Sequence, residues 1–190
     1  MTQIAQKSVC VLCGSRHGIK PAYKAAAQAI GTSLAQNDLR LVYGAGDVGL
    51  MGTVADATLA AGGAVFGVIP QHLLDREVGK TDLTQFIVTE NMHERKKLMF
   101  TNSDAIITLP GGPGSLDELF EVLTWAQLGQ HSKPIYLLNV DGYWDPLITL
   151  IDHQIAQGFA DPSFRNLLKD FSSTEALMAQ LLQDLSGPKA

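Results

Sequence analysis

Charge is scarce in this chain, and what there is leans acidic. Asp, Glu, Lys and Arg make up 17% of the 190 residues, with 14 basic against 19 acidic side chains and a formal net charge of −5. A nonspecific grip on DNA or RNA needs a basic face, so the balance argues against nucleic acid as a partner. It leaves small anions open, because a local site can be positive on an acidic protein. Long hydrophobic runs are also missing: no apolar span reaches 18 residues, which excludes a membrane-spanning helix. Repeats, low-complexity segments and linkers are absent too. With 46% apolar residues, the composition is that of an ordinary globular protein, and the length suits one domain over 1–190, with a loose tail from about 186. The opening MTQIAQKSVCVLCGS carries one lysine and runs straight into a glycine turn. It reads as a first strand rather than a signal peptide, so the expected location is cytoplasmic.

Cysteine is nearly absent as well. Cys10 and Cys13 form a CVLC motif, which invites a redox or zinc reading. Zinc lacks a second ligand pair, and a redox pair wants its first cysteine at a helix N-terminus. Here both lie in a strand-like run, where residues three apart face opposite ways, so buried inert thiols are the better account. The five histidines, His17, His72, His93, His131 and His153, show no metal-ligand spacing. No metal and no cofactor are expected.

What is present is an alternation. Strand-length apolar runs at 8–13, 39–43, 64–70, 86–90, 105–109 and 134–140 are separated by helical stretches at 21–36, 49–62, 92–103 and 115–129. Helices at 145–158 and 172–185 close the chain, and 71–85 reads as a polar loop beside the site. Near-continuous apolar strands alternating with helices predict a parallel sheet covered on both faces. The fold class is a Rossmann-like, doubly wound α/β domain.

Glycine, with 18 residues, collects where such folds bind ligands, at the carboxyl ends of strands near a topological switch point. CGSRHG follows the first strand, YGAGDVGLMG the second and LPGGPGS the fifth. The run from Gly44 to Gly49 fits GxGxxG, but it sits on the second strand–helix turn. The next strand ends Val68-Ile69-Pro70, where a dinucleotide site wants an acid. A tight turn with close helix packing competes with NAD here.

PGGPGSLDE, residues 110–118, combines features that favour and oppose an anion. Gly111, Gly112 and Gly114 expose backbone amides, and Ser115 is placed to cap a helix whose positive end suits phosphate. No lysine follows, so this is not a Walker A loop and a monophosphate fits better than a triphosphate. The acids have a bland explanation: Ser115-x-x-Glu118 matches a capping box. The alternative is catalytic. A carboxylate near a bound phosphate suits a reaction that develops positive charge, such as glycosidic cleavage at ribose through an oxocarbenium-like state. Arg95 and Lys96, in NMHERKKLM, either aim into that site or form a solvated basic face; His93 and Glu94 read as surface groups.

At these residues the sequence resembles the LOG (Lonely Guy) family, once labelled putative lysine decarboxylases. The likeness rests on PGGPGSLDE against a PGGxGTxxE signature and on Met92-His93-Glu94-Arg95-Lys96 against an arginine–lysine motif. CGS, YGAGDVGLMG, GVIP, TWAQLG and LLNVDGYWDPL extend it over most of the chain. The resemblance implies a phosphoribohydrolase that cuts the N-glycosidic bond of cytokinin riboside 5′-monophosphates or AMP, giving free base and ribose 5-phosphate. It implies Arg95 and Glu118 as the catalytic pair, and Gly111, Gly112, Gly114 and Ser115 as the phosphate loop. Pro113, Leu116, Asp117, Lys96, Glu77, Thr124, Ser15 and Met92 join them as further substrate-binding positions. It also implies a homodimer or an assembly of dimers. Two departures stand out: Ser115 replaces the usual threonine, and Ala45 replaces a glycine, where its methyl is expected to narrow the floor of the site or shift base preference. A decarboxylase would need a lysine for a Schiff base with pyridoxal phosphate, and no lysine is singled out. Two other classes remain: a nucleotide or molybdenum-cofactor carrier without turnover, and a dinucleotide-dependent oxidoreductase.

Overall fold

The computed structural model describes residues 6–75, 79–80 and 82–187. Seven strands form one sheet: β1 (Ser8–Leu12), β2 (Arg40–Tyr43), β3 (Val65–Pro70), β4 (Gln85–Thr89), β5 (Ala105–Thr108), β6 (Ile135–Leu138) and β7 (Leu168–Phe171). The order is β4-β3-β2-β1-β5-β6-β7, and every pairing is parallel. The chain builds outward from β1 to β4, then returns to lay β5 against the other side of β1. The switch point therefore falls between the carboxyl ends of β1 and β5, where a crevice opens.

The inner strands β1, β3, β5 and β6 are buried along their whole length because both faces are covered. On one face α1 (Pro21–Gln36), α2 (Gly49–Ala60) and α7 (Thr174–Ser186) bury Ile30, Leu34, Val54, Leu177 and Leu181. On the other, α4 (Met92–Thr101), α5 (Pro113–Gln127) and α6 (Asp145–Ala156) bury Met99, Leu119, Leu123 and Ile151. Cys10 joins the second core and Cys13 the first. Both thiols are buried and free, and desolvation pushes their pKa far up, which keeps them protonated and unreactive.

The structure departs from the sequence-based expectation at the edges. β6 is not the last strand: LKDF forms an exposed edge strand, β7, with too little apolar patterning to announce itself. The 71–85 stretch is not all loop, since α3 (Gln71–Leu74) follows β3 directly. Further on, Lys80 binds Asp56 at 2.9 Å, Asp82 at 3.3 Å and Asp47 at 3.6 Å, and its N–H donates to the Ala45 carbonyl. The final helix continues through Ser186.

Candidate active site

Helix α5 starts two residues earlier than its serine suggested. Gly112 is the N-cap, with no side-chain cap bond, and Pro113 is the first helical residue. Proline suits that position because its missing N–H would be unpaired anyway. Ser115 is thus not a cap but the third helical residue, 4% exposed, and no capping box with Glu118 forms. Its hydroxyl lies against Gly111: a Cβ at Gly111 would stand 2.1 Å from Ser115 Oγ. Gly112 and Gly114 face open space. The first-turn amides of Gly114 and Ser115 have no intrahelical acceptor by position.

The other glycine turns meet this loop. Gly14 donates to the Pro110 carbonyl at 3.1 Å and accepts from Leu50 N–H at 3.0 Å. Gly49, at φ +66°, lets α2 start against the Ser15–Arg16 peptide, where a Cβ would come within 2.2 Å of backbone. The GxGxxG match at 44–49 is occupied by packing of this kind. Ala45 also has a left-handed backbone, at φ 56°. Its methyl is fully buried in the core and faces Gly67, so the departure at 45 does not narrow the cleft floor as expected.

Arg95 is not part of a solvated basic face. Asn91 caps α4 by accepting the Glu94 N–H at 3.0 Å, and the Glu94 carboxylate accepts from Glu90 N–H at 3.0 Å. That start directs Arg95 under the strand ends. Its Nε donates to the Val68 carbonyl at 3.2 Å, and its Nη2 to the Gly44 carbonyl at 3.1 Å. The remaining Nη1 lies 3.8 Å from Glu118 Oε1 and against Met92 Sδ. Both side chains of the pair are largely enclosed, 9% and 13% exposed.

The two adjacent acids, about 100° apart around the helix, meet different surroundings. Asp117 turns outward and, with Glu121, holds the Lys96 ammonium at 3.1 and 2.9 Å. Glu118 turns inward. Burial raises the Glu118 pKa, and the Arg95 guanidinium opposes that rise.

A cleft of about 640 Å³ unites these parts, within the size range of small-molecule sites. It brings together Ser15, Met92, Arg95, Glu118 and the loop Gly111–Ser115 in sequence, with Pro113 and Gly114 included. Leu116, Asp117, Lys96 and Thr124 line a separate open groove on the outer side of α5, beside Phe120 and Trp125. Glu77 lies outside the described residues. Tyr23, Met51, Arg16 and Tyr143 also line the cleft and were not picked out from sequence. Tyr143 follows the carboxyl end of β6, and the switch-point rule alone would have pointed near it. Among the described residues, Glu118 is the only carboxylate lining the cleft, and no lysine lines it.

Fold and site together define an α/β protein with an anion-ready loop, a buried arginine and one carboxylate at the sheet's switch point. The family model described as "Possible lysine decarboxylase" matches residues 51–181. A cytokinin riboside 5′-monophosphate phosphoribohydrolase of Arabidopsis thaliana, LOG7, is 46% identical over 175 residues, spanning 92% of this chain and 81% of that protein. A probable enzyme of the same name from rice, LOG4, is 44% identical over 177 residues, covering 93% and 77%. The chain belongs to the LOG family. Among solved structures, the molybdenum cofactor carrier protein of Chlamydomonas reinhardtii superposes with a TM-score of 0.70 at 19% identity, over 96% of this chain and 99% of that one; this shows a shared fold.

Proposed function

We propose that this chain is a phosphoribohydrolase that releases the base from nucleoside 5′-monophosphates, cytokinin riboside monophosphates and AMP being the substrates in view. The 5′-phosphate would accept hydrogen bonds from the α5 first turn and the Ser115 hydroxyl, favoured by the helix dipole. Glu118 lies three residues further along the same helix, about 4.5 Å of axial rise, so one ligand can engage both. As the C1′–N bond breaks, its electron pair leaves with the base and positive charge develops on the sugar. The Glu118 carboxylate stabilises that charge and accepts a proton from the water that adds to C1′; a proton delivered to the departing base completes the exchange and restores the carboxylate. Arg95, fixed by two carbonyls, offsets part of the burial penalty on the Glu118 carboxylate. The products are free base and ribose 5-phosphate.

The observation that carries this reading is the single inward carboxylate, Glu118, beside Arg95. The family's names for its plant relatives point the same way. Assembly as a homodimer and a cytoplasmic location belong to the same proposal; no helix among the described residues is long and apolar enough to cross a membrane. The word decarboxylase gains nothing from the lysines. A Schiff-base lysine works as a neutral amine, whereas Lys80 and Lys96 have raised pKa values, with the hydrogen bonds they donate to aspartate and glutamate partners opposing desolvation.

The test is turnover. The protein is incubated with AMP, N6-isopentenyladenosine 5′-monophosphate and, as control, adenosine; free base and ribose 5-phosphate are followed by chromatography, beside Glu118→Gln. Release from the monophosphates, little from adenosine, and loss in the variant are expected. Tight nucleotide binding with no release would instead favour a carrier, the reading that the shared fold of the molybdenum cofactor carriers keeps open.

A further inference from the structure

A tyrosine outside the loop sets the direction in which the phosphate loop's amides point. Tyr143 OH donates to the Gly111 carbonyl at 2.6 Å. The Gly111–Gly112 peptide is trans, as no described peptide bond is cis, so the Gly112 N–H points away from the carbonyl that Tyr143 holds. That N–H donates to no acceptor among the described residues. Neither Gly111 nor Gly112 has a side chain to fix the peptide plane, and glycine backbones turn freely. Something else must hold it.

The chain goes to some length to put a phenol there. After β6, Asp141 and Gly142 are consecutive left-handed residues, at φ 52° and 72°, and such a conformation is costly for the aspartate. Lys20 pairs with Asp141 at 3.5 Å. Asn139 ties the far side of the turn, accepting from Trp144 N–H and donating to Asp145, both at 2.7 Å. A Cβ at Gly142 would stand 2.6 Å from Asp145 Oδ2, so glycine at this left-handed position leaves the Asp145 carboxylate its place beside Asn139. The Tyr143 ring is then gripped edge-on by Tyr23, 5.4 Å away at 72°, and by Trp144, 4.7 Å away at 82°. Tyr23 itself packs over Gly18, where a Cβ would come within 2.7 Å of its ring. The ring borders the cleft.

We infer that Tyr143 is a positioning residue for the anion end of the substrate: its hydroxyl locks the Gly111–Gly112 peptide with the Gly112 N–H turned to receive the 5′-phosphate. The inference rests on the phosphoribohydrolase reading for its ligand, a ribose 5-phosphate group, but not for the geometry. With the hydroxyl gone, the ring still packs and the turn still closes. The peptide plane, however, is free to rotate, and the amide must be ordered each time phosphate binds.

The test is Tyr143→Phe, which keeps the aromatic contacts. Two readouts are taken on the intact protein: steady-state turnover of AMP, and calorimetric binding of ribose 5-phosphate. The expected result is a KM for AMP raised about tenfold, with ribose 5-phosphate binding weakened by a similar factor, kcat changed far less, and an unchanged melting temperature. Lys20→Met, which removes a partner of the turn but not the hydroxyl, should show a smaller shift of the same kind. If wild type turns over AMP and Tyr143→Phe leaves both KM and ribose 5-phosphate binding unchanged, the inference is overturned while the hydrolase reading stands. If wild type binds ribose 5-phosphate without turnover and the variant binds it more weakly, the positioning role survives and the hydrolase reading falls. If wild type does neither, both fall.

Discussion

A single β-carbon at position 44 would stand 1.8 Å from Nη2 of Arg95, so the arginine of the candidate active site fits only because a glycine, Gly44, follows β2. The contact is not a loose neighbour that can swing aside, since Nη2 also donates to the Gly44 carbonyl and Nε to that of Val68. Gly44→Ala should therefore behave like a catalytic variant although it removes no reactive group. Expelling the guanidinium frees Glu118 from its counter-charge and leaves two strand-end carbonyls without their donor. A fall in kcat of at least about 100-fold is expected, together with a lower melting temperature. Near-wild-type kcat in this variant would show that Arg95 can work from another position.

Glu118 should trade stability for function, and pH exposes the trade. Its burial raises the carboxyl's pKa above the ordinary value despite Arg95. A group raised in the folded state contributes fully to stability below its unfolded pKa, about 4.3 for glutamate, and that contribution is lost as pH rises through the folded value. Glu118→Gln should then melt higher than wild type at pH 7 to 8, with the gap closing below about pH 4. Activity runs the other way. The mechanism needs the carboxylate, so the rate of AMP cleavage should fall on the acid side at a higher pH than an ordinary glutamate would give. Glu118→Gln should cut kcat by about 100-fold or more. Thermal melts and a pH–rate profile of the two proteins are the measurements. A variant no more stable than wild type at neutral pH would mean that the Arg95 attraction outweighs desolvation.

What the sequence made legible follows from where its signals are strong. Doubly buried parallel strands such as SVCVL and VFGVIP, every residue buried, cannot avoid being near-continuously apolar, so the sheet and its alternating helices could be read directly. LKDF at the exposed edge carries no such constraint and was missed. In the site, Glu118 could be singled out by its motif, but the side it faces depends on where α5 begins. The serine looked like a cap, whereas proline at the first helical position and glycine before it set the true start. Arg95 sits in a charged run that looks solvated; its burial is fixed by Gly44 and Val68, far away in sequence. Tyr143 could be placed near the site by its position after β6, but its partner could not be read, because its role is a hydrogen bond across 32 residues.

Ser115 tests the anion end of the cleft directly. It is buried at the start of α5 with its hydroxyl against Gly111, and hydrogen bonds to a charged ligand are worth about 1.5–3 kcal/mol. Ser115→Ala should weaken ribose 5-phosphate binding by about 10- to 100-fold and leave the fold's stability nearly unchanged. Ser115→Thr restores the hydroxyl and should recover most of the binding, provided the added methyl clears the Gly111 backbone. Calorimetry on the three proteins decides it; equal affinity for serine and alanine would remove the side chain from the phosphate site and leave the backbone amides to hold the anion.

Lys80 ties Gly79 and Asp82 to the rest of the molecule, and its removal should be felt as a local loosening rather than as a loss of chemistry. Its side chain is only 13% exposed and meets Asp56, Asp82 and Asp47 together. Its backbone N–H bonds Ala45, and Gly79 bridges Gly46. The hydrogen bond it donates to Asp56 is the leading cause that holds its pKa up, so the side chain stays an ammonium at neutral pH. Lys80→Met leaves three aspartates facing one another with no cation between them. The aspartates are well exposed, so solvent screens much of the repulsion, and the expected loss is about 1 kcal/mol in urea denaturation at low salt, shrinking as salt is added. Limited proteolysis should cut the variant faster beside position 80. Lys80→Arg keeps the charge and should retain most of the stability. If methionine at 80 is neutral at low salt and cleavage there is no faster, the backbone bonds to Ala45 and Gly46 alone hold the chain at this point.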